Sequence, residues 1–218
     1  MSTGFSAEVV VVAVADGMRR TARERILETA AELFYREGIR AVGIDTIIAR
    51  SGVAKMSLYR NFASKDDLIC AWLEDTEGRF WSWWDGVAAR HPGDPRAQLK
   101  ALFAALGKWT AHPQFRGCPF INTNVEFRDT DHPGRAIAGR HARAMRGRLC
   151  DLAAAAGARD PEALAEHLLL LMQGAYAGGR MLGPDAAVRA IPSAAAVLID
   201  TACDPAGQSE IARPQPAR

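Results

Sequence analysis

The sequence predicts an all-helical protein, and three observations carry that expectation. Alanine is abundant and β-branched runs are scarce after residue 20, which favours helix over strand. Apolar residues recur at spacings of three and four, the mark of helices with one buried face. Turn signals fall between these segments at helical lengths: Gly38, Gly52, the run His91-Pro92-Gly93-Asp94-Pro95, and His112-Pro113. Three short helices should come first and about six longer ones after them. With 218 residues, the chain can bury a core as one large domain or two small ones.

The first 17 residues look foreign to the rest of the chain. Met18 leads at once into Arg19, Arg20 and a strong helix, so residues 1–17 are expected to be a disordered arm or a non-native extension. Residues 9–15 are apolar but lack the preceding Lys or Arg of a secretory signal. Residues 21–37 place Ile26, Ala30, Leu33 and Phe34 on one face and Glu24, Glu28 and Glu32 on the other, and Gly38 stops the helix. A helix over 44–51 turns Ile44, Ile47 and Ile48 inward, Gly52 breaks it, and Val53 comes next as an apolar plug. A third helix over 55–61 is anchored by Leu58 and Phe62.

Ser64-Lys65-Asp66-Asp67 then reads as a capped start, with a hydroxyl acceptor and two acids at the positive helix end. The helix it opens should run to about Arg90, carrying Leu68, Ile69, Trp72, Leu73, Phe80, Trp81, Trp83 and Trp84. Further helices are expected over 95–111 and 119–127, and from Asp131-His132-Pro133-Gly134 to near Gly157. Asp160-Pro161 is a cap and first-turn pair for a helix to about Leu182. The last helix, 185–202, should be interrupted or restarted at Pro192. Residues 204–218 are Pro-rich and polar, and are expected to be disordered.

Composition excludes several classes. Net charge is +2 with pI about 8.4, which neither demands nor excludes nucleic acid, so the distribution of charge must decide. Cys70, Cys118, Cys150 and Cys203 form no CxxC pair, so free thiols in a reducing cytoplasm are expected. No stretch approaches 18 uninterrupted apolar residues, so no membrane span is expected. His112, His132, His141 and His167, with Asp129 and Asp131, match no metal-ligand spacing and read as solvated or capping groups. No nucleophile–base set, paired carboxylates or phosphate loop is spaced informatively, so neither an enzyme nor a cofactor is expected.

The segment 47–62 carries the function. Two helices joined by a tight Gly-containing turn present the second helix outward. Ile47, Val53, Leu58 and Phe62 would form its inner side, with Leu33 and Phe34. That leaves Lys55, Met56, Ser57, Tyr59, Arg60 and Asn61 facing out, mostly groups that bond to phosphates and base edges. Lys55, Met56, Ser57 and Arg60 would reach bases, while Tyr59 and Asn61 suit phosphates. Lys65, at the next helix start, would add its charge to another phosphate. These residues describe a helix-turn-helix bound to double-stranded DNA.

The stretch resembles the TetR-type transcriptional repressors. The resemblance is carried by the segment from Arg25 to Phe34, Gly38, the segment from Gly52 to Phe62, and Ser64-Lys65-Asp66-Asp67-Leu68, about 50 residues in all. It places Lys55, Ser57, Tyr59, Asn61 and Lys65 on the family's usual DNA contacts. Three positions depart: Gly43 stands where Thr or Ser often caps, Ile48 where Ala is usual, and Asn61 where His is common. The resemblance implies an all-helical homodimer with a ligand-binding C-terminal domain. Domain bounds on this reading are 18–65 for DNA binding and 66–203 for ligand binding and dimerisation.

In that second domain, the aromatic residues either pack a core or line an apolar cavity. By position in the resembled fold, Phe103, Phe120, Asn124, Met172, Gln173 and Tyr176 are the ligand candidates. Gln173 and Tyr176 are polar residues in an otherwise apolar helix. The run Arg116-Gly117-Cys118-Pro119-Phe120-Ile121-Asn122 resembles a segment in one branch of these regulators. Cys118 there is either a thiolate sensor, activated by Arg116 and a helix N-terminus, or a small residue packing a helix start. The apolar surplus and small residues of the last two helices point to a C2 dimer, and hence to a palindromic operator. The expected function is repression, released by an unknown small-molecule effector. An effector-independent or Cys118-dependent regulator is the alternative.

Overall fold

The computed structural model describes residues 20–128, 131–178, 181 and 183–204. The expectations for residues 1–17 and for the tail beyond 204 lie outside the described residues, as does the end of the eighth helix near 182. Among the described residues the chain is all helix: α1 Ala22–Glu37, α2 Ile44–Ser51, α3 Lys55–Asn61, α4 Lys65–Ala88, α5 Pro95–Thr110, α6 Pro119–Glu126, α7 Pro133–Ala155, α8 Pro161–Gly178 and α9 Pro184–Cys203. It divides into two compact units. One comprises residues 1–86 and 112–144, the other residues 87–111 and 145–218, so two boundaries fall inside α4 and α7 and the third just after α5. Compactness groups α6 and the first half of α7 with α1, α2, α3 and most of α4.

In the first unit, α1 begins with a reciprocal cap. Thr21 Oγ1 accepts the Glu24 N–H and the Glu24 carboxylate accepts the Thr21 N–H. Its inner face buries Ile26, Ala30, Ala31, Leu33, Phe34 and Tyr35. Ser64 accepts the Asp67 N–H at 3.0 Å and starts α4 as the sequence implies. Along α4, Leu68, Ile69, Trp72, Leu73, Phe80 and Trp84 are buried.

Two histidines are neither solvated nor metal-spaced. His141 is buried, with its ring stacked on Phe120 at 3.9 Å and its Nδ1 3.3 Å from Glu77 Oε1. Burial lowers its pKa because the imidazolium is poorly solvated there, while Glu77 pulls the other way. His132 is a buried cap. Its Nδ1 accepts the Gly134 N–H at 3.0 Å at the start of α7, and its ring stacks on Phe127 at 3.9 Å.

The second unit packs α5, α8 and α9 together. The inner row of α9 is Ala187, Ile191, Ala195, Ile199 and Cys203, a four-residue repeat that makes one continuous ridge. Pro192 does not interrupt this helix, contrary to the sequence expectation. Packing accounts for the difference: Pro192 Cδ lies 3.3 Å from where a Cβ would stand on Gly107, so bare glycine on α5 makes room for the ring. Contacts with α5 therefore offset the backbone bond that proline cannot make. Arg96 donates to the carbonyls of Ala156 and Cys203, tying the end of α7 to the end of α9. Among the described residues α9 is the one helix long and apolar enough to cross a membrane, with mean hydropathy 1.4. Its apolar residues are shared between the buried ridge and an exposed side bearing Val188 and Val197.

Candidate nucleic-acid interface

The helix-turn-helix forms where the sequence placed it, and its geometry arises from a few residues. Gly52 ends α2 with φ 63° and ψ 27°, a left-handed conformation in which a side chain is strained. Val53 then plugs the turn, and Ile47, Leu58 and Phe62 are buried beneath it. Gly43 starts α2 with no side-chain cap, as the departure from the family pattern implied. Arg25 on α1 braces the turn from outside, its Nη2 donating to the carbonyls of Ser51 at 3.1 Å and Gly52 at 2.8 Å.

With the inner side fixed, α3 presents the opposite one. Lys55, Met56, Tyr59, Arg60 and Asn61 are exposed, and Ser57 is half-buried. Met56 is 67% exposed, unusual for an apolar side chain in a three-helix unit, and it suits contact with a thymine methyl. Asn61 is partly committed already, since its Nδ2 donates to the Ser57 carbonyl at 2.8 Å. Lys55 Nζ lies 3.6 Å from Asp45 Oδ1.

Lys65, expected at a phosphate, is half-buried against the turn between α1 and α2. Its Nζ donates to the Ile39 carbonyl at 2.7 Å and lies over the Phe34 ring at 6.0 Å. Partial burial lowers its pKa, although Glu126 and Asp66 favour the charged form. The ammonium is drawn inward because the turn between α1 and α2 offers a carbonyl flanked by an acid. Lys65 braces that turn.

The acid is Glu126, the last residue of α6, and its role was not legible in the sequence. Its carboxylate accepts the Ile39 N–H at 3.0 Å and the Arg40 N–H at 2.7 Å, while Arg40 Nη1 donates to its backbone carbonyl at 3.3 Å. Tyr35 adds a second tie: its hydroxyl accepts the Arg116 N–H at 2.9 Å and donates to the Gly117 carbonyl at 3.2 Å. Each partner lies more than 80 residues along the chain, and no local pattern announces such pairs.

The remaining candidates fare unevenly. Cys118 caps α6 but is buried, and burial pushes its thiol up to about 11. The N–H groups of Phe120 and Ile121 favour the thiolate, as a helix N-terminus should, but desolvation outweighs them. The Arg116 guanidinium does not help, because it donates to the carbonyls of Pro113 and Phe115 instead. Of the two readings of Cys118, burial favours the protonated packing residue over the thiolate. Of the six ligand candidates, Phe103, Met172, Gln173 and Tyr176 lie in the second unit, and Phe120 and Asn124 in the first. Phe103 and Met172 are fully buried, Gln173 and Tyr176 half-buried, and Asn124 exposed.

A short α2, a glycine turn and a second helix with a polar outer face define a DNA-binding regulator of the helix-turn-helix class. Residues 26–71 match the bacterial regulatory proteins of the tetR family, and residues 95–195 match the tetracyclin repressor-like C-terminal domain. A TetR-family transcriptional regulator from Streptomyces coelicolor is 31% identical; the match covers 84% of this chain and 96% of that one, with a TM-score of 0.80. A putative TetR transcriptional regulator from Streptomyces avermitilis is 29% identical over 84% of this chain and 98% of its own, with a TM-score of 0.74. The chain belongs to the TetR family of DNA-binding transcriptional regulators. Among curated relatives, the HTH-type transcriptional activator FasR of Mycolicibacterium smegmatis is 36% identical over 92 residues, 41% of each chain. The regulator AcrR of Shigella flexneri is 29% identical over 80 residues, 37% of each. The chain thus spans about two fifths of the curated relatives it matches.

Proposed function

We propose that this protein is a cytoplasmic, homodimeric repressor that occupies a palindromic operator and leaves it when a small molecule binds its C-terminal domain. The observation that carries the DNA-binding part is the sidedness of α3: Leu58 is fully buried while Lys55, Met56, Tyr59 and Arg60 stand exposed. On this reading Lys55, Met56, Ser57 and Arg60 meet bases, and Tyr59 and Asn61 meet phosphates. The dimer forms through α8 and α9, which is supported by the exposed Leu170, Val188 and Val197. Phe103, Met172, Gln173 and Tyr176 are the proposed effector contacts. The Gly117-Cys118-Pro119-Phe120 segment is the proposed marker of its branch within the family.

The test begins with duplexes selected by the pure protein from a random pool, whose affinity is then measured against salt. A Lys55→Ala, Arg60→Ala double variant should bind the selected duplex about 10–100-fold more weakly and lose its preference for that sequence. Undiminished affinity in that variant would remove α3 as the reading helix. The match to an activator supports a second reading, in which the bound protein recruits rather than blocks the polymerase. Transcription in vitro from a selected operator, with and without the protein, separates the two.

A further inference from the structure

One charge beside α3 works against binding DNA. Asp45 lies in the first turn of α2, where its carboxylate favours the helix end, as any acid there would. That role needs no lysine. Yet Asp45, with a side chain 89% exposed, sits 3.6 Å from the ammonium of Lys55, itself 63% exposed. An exposed pair of this kind adds little to stability, so the fold gives no reason for it. Lys55 is the first residue of α3, the end of a reading helix that approaches DNA most closely.

We propose that Asp45 is a specificity-determining residue that holds Lys55 off the phosphate backbone. The inference rests on the DNA-binding reading above. Non-specific affinity comes from cations that replace the condensed counterions of DNA, one for each phosphate neutralised. A lysine that shares its charge with a neighbouring carboxylate gains less from a phosphate, so a duplex of arbitrary sequence gains less from it. A duplex presenting paired acceptors in the major groove, as guanine does through O6 and N7, offers directed bonds that draw the ammonium from the carboxylate. Asp45 thereby weakens binding to all DNA and leaves the correct sequence the least weakened.

The experiment uses the full chain and two probes, a random-sequence 30-bp duplex and a duplex selected from a random pool by the wild-type protein. Binding is measured by fluorescence anisotropy across a salt series. Asp45→Asn should tighten binding to the random duplex about five- to tenfold and steepen its salt slope by about 0.9, one phosphate's worth. The selected duplex should gain less than twofold, so discrimination falls. Asp45→Glu keeps the charge and should behave as wild type. In a Lys55→Ala background, Asp45→Asn should change random-duplex affinity by less than twofold. The proposal is overturned if Asp45→Asn leaves random-duplex binding within twofold of wild type, or if its gain persists without Lys55. If the wild-type protein binds neither duplex in a salt-dependent way, the DNA-binding reading itself fails, and this inference with it.

Discussion

Replacing Glu126 by alanine removes the acceptor for two backbone N–H groups, and the two losses are unequal. The Arg40 bond is exposed, so water takes the carboxylate's place and the net cost is about 0.5 kcal/mol. The Ile39 bond is partly buried and made to a charged group, which puts its removal at about 1.5–2.5 kcal/mol. Lys65 adds a little, since it loses the acid that favours its charged form beside the Ile39 carbonyl. The sum is about 2–3 kcal/mol. Glu126→Gln keeps one acceptor and should cost about half as much. Urea unfolding reads the effect as a midpoint lower by about 1 M, given a slope near 2–3 kcal/mol per molar. Amide exchange localises it, because Ile39 should lose protection while α1 core amides keep theirs at matched stability. A cost below about 0.5 kcal/mol, with Ile39 exchanging as in wild type, would refute the assignment of Glu126 as the clamp on this turn.

Cys118 and Gly107 give three further predictions. The folded thiol titrates near 11 and the unfolded one near 9, so the folded state holds its proton over that window. Its contribution is complete below about pH 9 and is lost as pH rises toward 11. Stability should therefore fall by about 2–3 kcal/mol more across that window in wild type than in Cys118→Ala, measured by urea unfolding at each pH. The same burial should leave Cys118 unreactive toward iodoacetamide at pH 7 until the protein is unfolded. A Cβ on Gly107 would stand 3.2 Å from the Ala187 carbonyl oxygen and 3.3 Å from Pro192 Cδ. Gly107→Ala gains about 1 kcal/mol in helix propensity but meets this crowding, so a net loss of about 1 kcal/mol is expected in thermal unfolding, and a larger one for Gly107→Leu. A stabilised Gly107→Ala would mean that α9 shifts freely on α5.

What the sequence revealed was local, and what it concealed was distant or a matter of degree. Periodicity and turn signals located the helices of the described residues, and the identities of Gly52, Val53, Leu58 and Phe62 sufficed for the helix-turn-helix, because its core is assembled from neighbours in the chain. Pro192 misled because local rules count the missing hydrogen bond but not the glycine opposite it on α5. Cys118 stayed open between two readings because helix position and a nearby arginine were visible, whereas burial, the larger effect, was not. Lys65 was placed at a phosphate by its charge, its position at a helix start and the family resemblance. The carbonyl that turns it inward belongs to Ile39, 26 residues earlier, and the acid behind it to Glu126.

The ties made by Glu126 and Tyr35 bear on protein engineering. A hybrid that joined the helix-turn-helix head of this chain to the C-terminal domain of another family member would, by sequence order, be cut at residue 65. Here such a cut would leave the turn after α1 without its carboxylate and Tyr35 without the loop it holds. A working graft from this protein would have to carry residues 116–126 with the head, or install an acid and a matching loop in the recipient. The head is portable only together with a piece of chain that sequence order assigns to the other half.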